Sequence, residues 1–168
     1  RPIANTTNAS CPNPVLADGN GYLPWNSIYG AFHDLDPTVS GANINYSILG
    51  VAPCTTFVVK FSTVTILACS FKTTQQIVIY ETTNVIEVYI KSKPNGSSCS
   101  SGNGESCIGI QNNGGTLAYA PPGRNTGAWA ATNVGWRFTP VGTPNYTINW
   151  FDGAGTYVGG ATGAGCGW

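Results

Sequence analysis

Hydrophobic and polar positions alternate most clearly between residues 75 and 91. Two runs rich in β-branched and aromatic residues flank the polar turn Glu81-Thr82-Thr83-Asn84, which is a hairpin signal. In the second run Ile86, Val88 and Ile90 fall on one face, and Val85, Glu87, Tyr89 and Lys91 on the other. Ile44, Tyr46 and Ile48 alternate in the same way with Asn45 and Ser47, as do Phe57, Val59 and Phe61 with Val58 and Lys60. Such patterns predict half-buried antiparallel strands. Strands are expected at 44–49, 56–61, 64–68, 76–80, 85–91, 108–111, 116–119, 135–139 and 146–151. No window carries a sustained helical period, and a single helical turn is expected at 25–31. Many short strands separated by Gly, Pro and Asn predict an all-β chain, an antiparallel β-sandwich or barrel-like module.

The two ends differ from this body. Residues 1–24 are rich in Asn, Thr, Pro and Gly and read as an extended N-terminal arm. After Phe151 the sequence becomes a Gly-rich C-terminal tail, which by itself makes a weak strand. The expected division is therefore an arm (1–24), a β module (25–140) and a C-terminal strand and tail (141–168). The tail reads either as the start of an immunoglobulin-like repeat, with Ile148, Trp150, Tyr157 and Val158 on two strands, or as an arm between subunits.

Charge narrows the function. Only 8% of the 168 residues are charged, and seven basic side chains balance seven acidic ones. Nucleic-acid binding normally needs a basic footprint and is excluded on this ground. No apolar run approaches the ~20 residues of a membrane-spanning helix. The chain begins at Arg1 and contains no Met, which reads as a processed product or excised segment. Six cysteines occur without a Cys-x-x-Cys pair, so a disulfide framework in an oxidising compartment is preferred to zinc. Of fifteen connectivities, the most economical joins Cys54 to Cys69 across an apolar stretch that turns back on itself. It also joins Cys99 to Cys107 across a Gly/Ser loop, and leaves Cys11 and Cys166 for each other or for a neighbouring subunit.

Several phrases in order carry a family resemblance. They are Ala31-Phe32-His33-Asp34-Leu35-Asp36-Pro37, Ile44-Asn45-Tyr46, Ala52-Pro53-Cys54 and Phe57-Val58-Val59-Lys60-Phe61. After the hairpin come Ile108-Gly109-Ile110-Gln111-Asn112, Pro122-Gly123-Arg124-Asn125 and Trp136-Arg137-Phe138-Thr139-Pro140. Over residues 25–140 this order resembles the nidogen-like module of large secreted Bacteroidota surface proteins, including gliding-motility-associated adhesins. The resemblance implies an all-β extracellular module followed by immunoglobulin-like or polycystic-kidney-disease-like repeats and a secretion signal. It brings no catalytic residues with it. The repeat array and the signal are not in this sequence, and the loop 97–106 carries a cysteine beyond the pattern.

Candidate chemistry is sparse. Asp34 and Asp36 share a strand face and are a candidate calcium pair, the one cofactor considered; a structural role in the turn at Pro37 is the stronger reading. His33 is the only histidine, so any His-based general base must be that residue. Glu81 and Glu87 could face each other as a glycosidase-like pair, although surface pairing with Lys91 and Lys93 explains them more simply. Trp136 and Trp150 are expected in the core. Trp129, in a Gly/Ala/Asn loop, is expected to be exposed and is the candidate sugar platform. Asn-x-Ser/Thr sequons stand at Asn5, Asn8, Asn45, Asn95 and Asn145.

Together these readings predict a non-enzymatic extracellular structural or adhesive module at a bacterial surface. Its partners would be neighbouring repeats, identical subunits or surface polysaccharide. The alternatives are a filament subunit joined by strand addition or disulfides, and a carbohydrate-binding or glycoside-hydrolysing domain.

Overall fold

A computed structural model describes residues 16, 23–99, 104–142 and 147–162. Eleven strands follow one another in these residues. They are β1 (Ser27–Phe32), β2 (Leu35–Asp36), β3 (Asn43–Leu49), β4 (Thr56–Ile66), β5 (Lys72–Tyr80), β6 (Ile86–Lys93), β7 (Cys107–Gln111), β8 (Ala118–Tyr119), β9 (Ala131–Phe138), β10 (Thr147–Phe151) and β11 (Tyr157–Thr162). The hairpin read from the sequence is β5–β6, with Ile77 opposite Val88 and Ile79 opposite Ile86. It forms the middle of a sheet ordered β2-β4-β5-β6-β9, with β3 also paired to β4. A smaller sheet, β1-β7-β8, packs on it through β1, which meets β5 and β6. All pairings are antiparallel, and the result is a sandwich-like all-β fold. No helix long and apolar enough to cross a membrane occurs among the described residues.

Between the sheets, Ala31, Val88, Ile90, Ile108, Trp129 and Ala131 form the main core, joined by Ile77, Trp136 and Phe138. The opposite face of β7 is covered as well. Leu16 and Leu23 pack there on Tyr29 and Cys107. Gly109 permits this, because a Cβ at that position would lie 2.4 Å from a Leu16 methyl. Asn125 Oδ1 also accepts the Leu16 N–H at 2.8 Å. The N-terminal arm is thus fastened to the module at Leu16.

The turn expected at 25–31 is strand β1 instead. Its outer edge is completed by a side chain: Gln75 Oε1 accepts the Ala31 N–H, and Gln75 Nε2 donates to the Ala31 carbonyl at 3.1 Å. Buried backbone groups must find partners. Here the partner is 44 residues away, so no local pattern announces it.

Strand β4 corrects a second expectation. The two short strands at 56–61 and 64–68 are one 11-residue strand. A bulge between Phe61 and Val64 interrupts its pairing, and Thr63 there has a left-handed φ of 50°. An extended strand of that length spans about 35 Å, so Cys54 and Cys69 stand at its two ends and cannot bond. Cys69 is bonded to Cys99 instead, with Cα atoms 5.2 Å apart. Cys54 is also in a disulfide, with neither of these two. The expected Cys99–Cys107 bond is absent, since Cys107 is a buried thiol against Tyr29. Cys11 and Cys166 lie outside the described residues.

Strands β10 and β11 form a two-stranded sheet of their own. The expectation that Trp150 is a core residue lies outside the described side chains, whereas Trp136 does pack on the main core. Asn45 and Asn95 are exposed; Asn5, Asn8 and Asn145 lie outside the described residues.

Candidate interaction surface

Strand register decides which apolar residues are covered. One cross-strand row runs Tyr46, Val59, Ile77, Val88, Trp136. The flanking rows begin Ile44, Phe61, Gln75, Ile90 and Ile48, Phe57, Ile79, Ile86. All of these lie on the face that carries the core. The smaller sheet reaches only β5 and β6, so the β3 end of the face stays open. Tyr46 is 70%, Ile48 65% and Ile44 45% exposed. Tyr46 lies against Phe57, ring centroids 5.7 Å apart. A contiguous apolar patch of this kind marks an interaction site more often than chance exposure.

Beside it, between β1 and the large sheet, opens a cleft of about 620 Å³. Its walls include Trp25, Ile28, Phe32, Leu35, Phe61 and Ile77, with Gln75 and His33 among the few polar groups. Apolar clefts with a few placed polar groups suit ligands or extended chains. His33 is buried in this wall.

Those glutamates do not form a pair. Glu81, in the turn after β5, accepts hydrogen bonds from the N–H (3.1 Å) and hydroxyl of Thr55. Glu87, on β6, is buried rather than solvent-facing. Its Oε2 accepts from the hydroxyls of Tyr80 and Tyr89, each at 2.7 Å, and Arg137 Nε lies 3.2 Å from Oε1. Burial opposes its charge, but the bonds from Tyr89 and Tyr80 and the guanidinium of Arg137 outweigh this and hold the carboxyl below its usual range. Tyr89, donating to that carboxylate, is pushed up to about 12. This carboxylate joins three strands.

Asp36 is likewise engaged locally. Its Oδ1 accepts from the Thr38 N–H at 2.9 Å and hydroxyl at 2.6 Å, which lowers its pKa. Asp34 is raised by burial and by the nearby Asp36 charge. These contacts are those of an Asx-type turn before β3. No group of three or more His, Cys, Asp and Glu side chains gathers among the described residues.

Trp129 overturns its expected exposure: it is 7% exposed and central to the core. Its Nε1 donates to the Ser106 carbonyl at 2.9 Å. Lys93 Nζ lies 4.3 Å and Arg124 Cζ 4.7 Å from its ring, and a ring this buried is no platform for a sugar. Lys93 was expected at the surface and is instead almost fully buried. The cause is a bulge in β6 opposite Thr74–Gln75 together with a left-handed Asn133 (φ 51°) in β9. A one-residue shift turns a side chain to the opposite face, and Lys93 and its partner Ala131 point inward. The Lys93 ammonium donates to the carbonyls of Trp129 (2.8 Å), Pro94 (3.2 Å) and Gly104 (3.4 Å).

Burial first, and then the neighbouring Arg124 charge, lower the Lys93 pKa to about 8. In the unfolded chain it returns to about 10.4. Between these values the unfolded state holds more protons, so stability rises with pH. The expected gain from pH 8 to pH 10 is about 2 kcal/mol. Above pH 10 the raised Tyr89 reverses the slope, because the unfolded tyrosine ionises first. Urea titrations across pH 7–11 should show this maximum, and Lys93→Met should abolish the rise.

The body of the chain is thus a pair of packed antiparallel sheets in which Glu81, Glu87, Asp36 and Lys93 hold strands and turns together, with one uncovered apolar sheet end. It belongs to the NIDO-related family, which it matches over residues 3–147. No curated protein and no solved structure matches it. Membership of this family points to a nidogen-like, extracellular structural or adhesive module.

Proposed function

We propose that this module is a non-enzymatic part of a bacterial surface protein of the gliding-adhesin type, acting by display and assembly. Neighbouring repeats, identical subunits or a surface polysaccharide are its partners. The observation that carries this reading is the open β3–β4 face, which presents Ile44, Tyr46, Ile48 and Phe57 to solvent. The best acid/base candidate, Glu87, is meanwhile committed to Tyr80, Tyr89 and Arg137. A filament subunit is the second reading, favoured by the exposed edge of β3. Negative-stain electron microscopy of the native material should show globules joined in chains or filaments. Isolated single globules would count against assembly.

A further inference from the structure

We infer that two copies of this chain join edge to edge through β3, the two strands running antiparallel about a two-fold axis at Tyr46. This inference is independent of what the module adheres to.

The edges of the two packed sheets are unequal. β2 and β8 are two residues long. The edge of β1 is taken by Gln75. β9 carries Arg137 and the left-handed kink at Asn133. Short strands, charges and bulges are the devices that keep sheet edges from pairing. β3 has none of them. It runs for seven residues, all exposed, with β4 on one side and no described strand on the other. Its sequence, Asn-Ile-Asn-Tyr-Ser-Ile-Leu, contains no charge and no proline.

That sequence is also self-complementary. With Tyr46 opposite its own copy, Ile44 falls opposite Ile48 of the second chain and Asn45 opposite Ser47. Directly opposed residues in an antiparallel pair share a face, so the apolar row crosses the joint unbroken and the polar row meets polar partners. The same patch serves both copies, as a closed two-fold contact requires. Lys60 stands opposite Asn45 in the next strand. Three strand spacings and the two-residue offset along the strands put the two copies of Lys60 about 16 Å apart, beyond the ~8 Å screening length of physiological salt.

Sedimentation equilibrium of the full chain up to about 100 µM tests this. A monomer–dimer equilibrium is expected, weakened at least about tenfold by Tyr46→Lys, which sets two like charges face to face. Tyr46 is exposed, so circular dichroism should show the variant folded. Register is read separately: on oxidation, Tyr46→Cys should give a covalent dimer, because opposed Cα atoms are about 5 Å apart. Asn45→Cys, which faces Ser47, should not. A chain that stays monomeric, a dimer indifferent to Tyr46→Lys, or equal cross-linking of both cysteine variants would overturn the inference.

Discussion

Replacing Trp129 by alanine is expected to destabilise the fold by about 3–5 kcal/mol, a large share of the 5–15 kcal/mol that holds a domain of this kind together. The indole sits in the middle of the main core and meets Trp136 edge-on, ring centroids 6.4 Å apart. Its removal opens a cavity and leaves the Ser106 carbonyl without its donor. It also takes the π face away from Lys93 and Arg124, whose cations lie close to the ring. Trp129→Phe should recover much of the packing but not the hydrogen bond. Urea unfolding followed by circular dichroism measures both. An alanine variant as stable as the parent would mean that the ring is not a core residue.

The second large effect concerns the Cys69–Cys99 bond. It joins residues 30 apart in sequence, and a loop of that size restrains the unfolded chain by about 3–4 kcal/mol. Replacing both cysteines by serine should lower the melting temperature by roughly 10 °C. The bond ties the turn after β4 to the loop beyond β6, whose backbone supplies two of the carbonyls around Lys93. The loss should therefore be felt at the Trp129 end of the core. Peptide mapping without reduction should recover the 69–99 linkage and no 54–69 linkage.

Both predictions rest on features that the amino-acid pattern hides. Alternation identified β3, β5 and β6, because side chains on a half-covered sheet follow a period of two. It failed wherever a strand bulges. At Ser62 and Thr63 a bulge looked like a turn and split β4, and that split made Cys54–Cys69 attractive. Near Lys91 and Asn133 another irregularity reversed the alternation and hid the burial of Lys93. Trp129 looked exposed because its neighbours Gly127, Ala128 and Ala130 are small. In the fold it shares one buried cluster with Ala31 and Ala131.

The candidate surface was half legible. The apolar row Ile44, Tyr46, Ile48 was visible in the sequence but read as part of a half-buried strand, whereas all seven residues of β3 are exposed. That nothing covers it depends on the smaller sheet stopping at β5 and β6, which is a property of the assembled fold. Gln75 reads as an ordinary polar strand residue and closes the edge of β1 only in three dimensions. The family was legible because it rests on the order of several phrases along the chain.

We propose that this module works by holding on, without turnover. Particles coated with the full chain can be incubated with cell-surface polysaccharide while retention and released reducing ends are measured together. Glu87→Gln is the matched control, since its amide carbonyl can still accept from Tyr80 and Tyr89. Retention without release, equal in parent and variant, is the predicted result. Steady release of reducing ends that disappears in Glu87→Gln would contradict it.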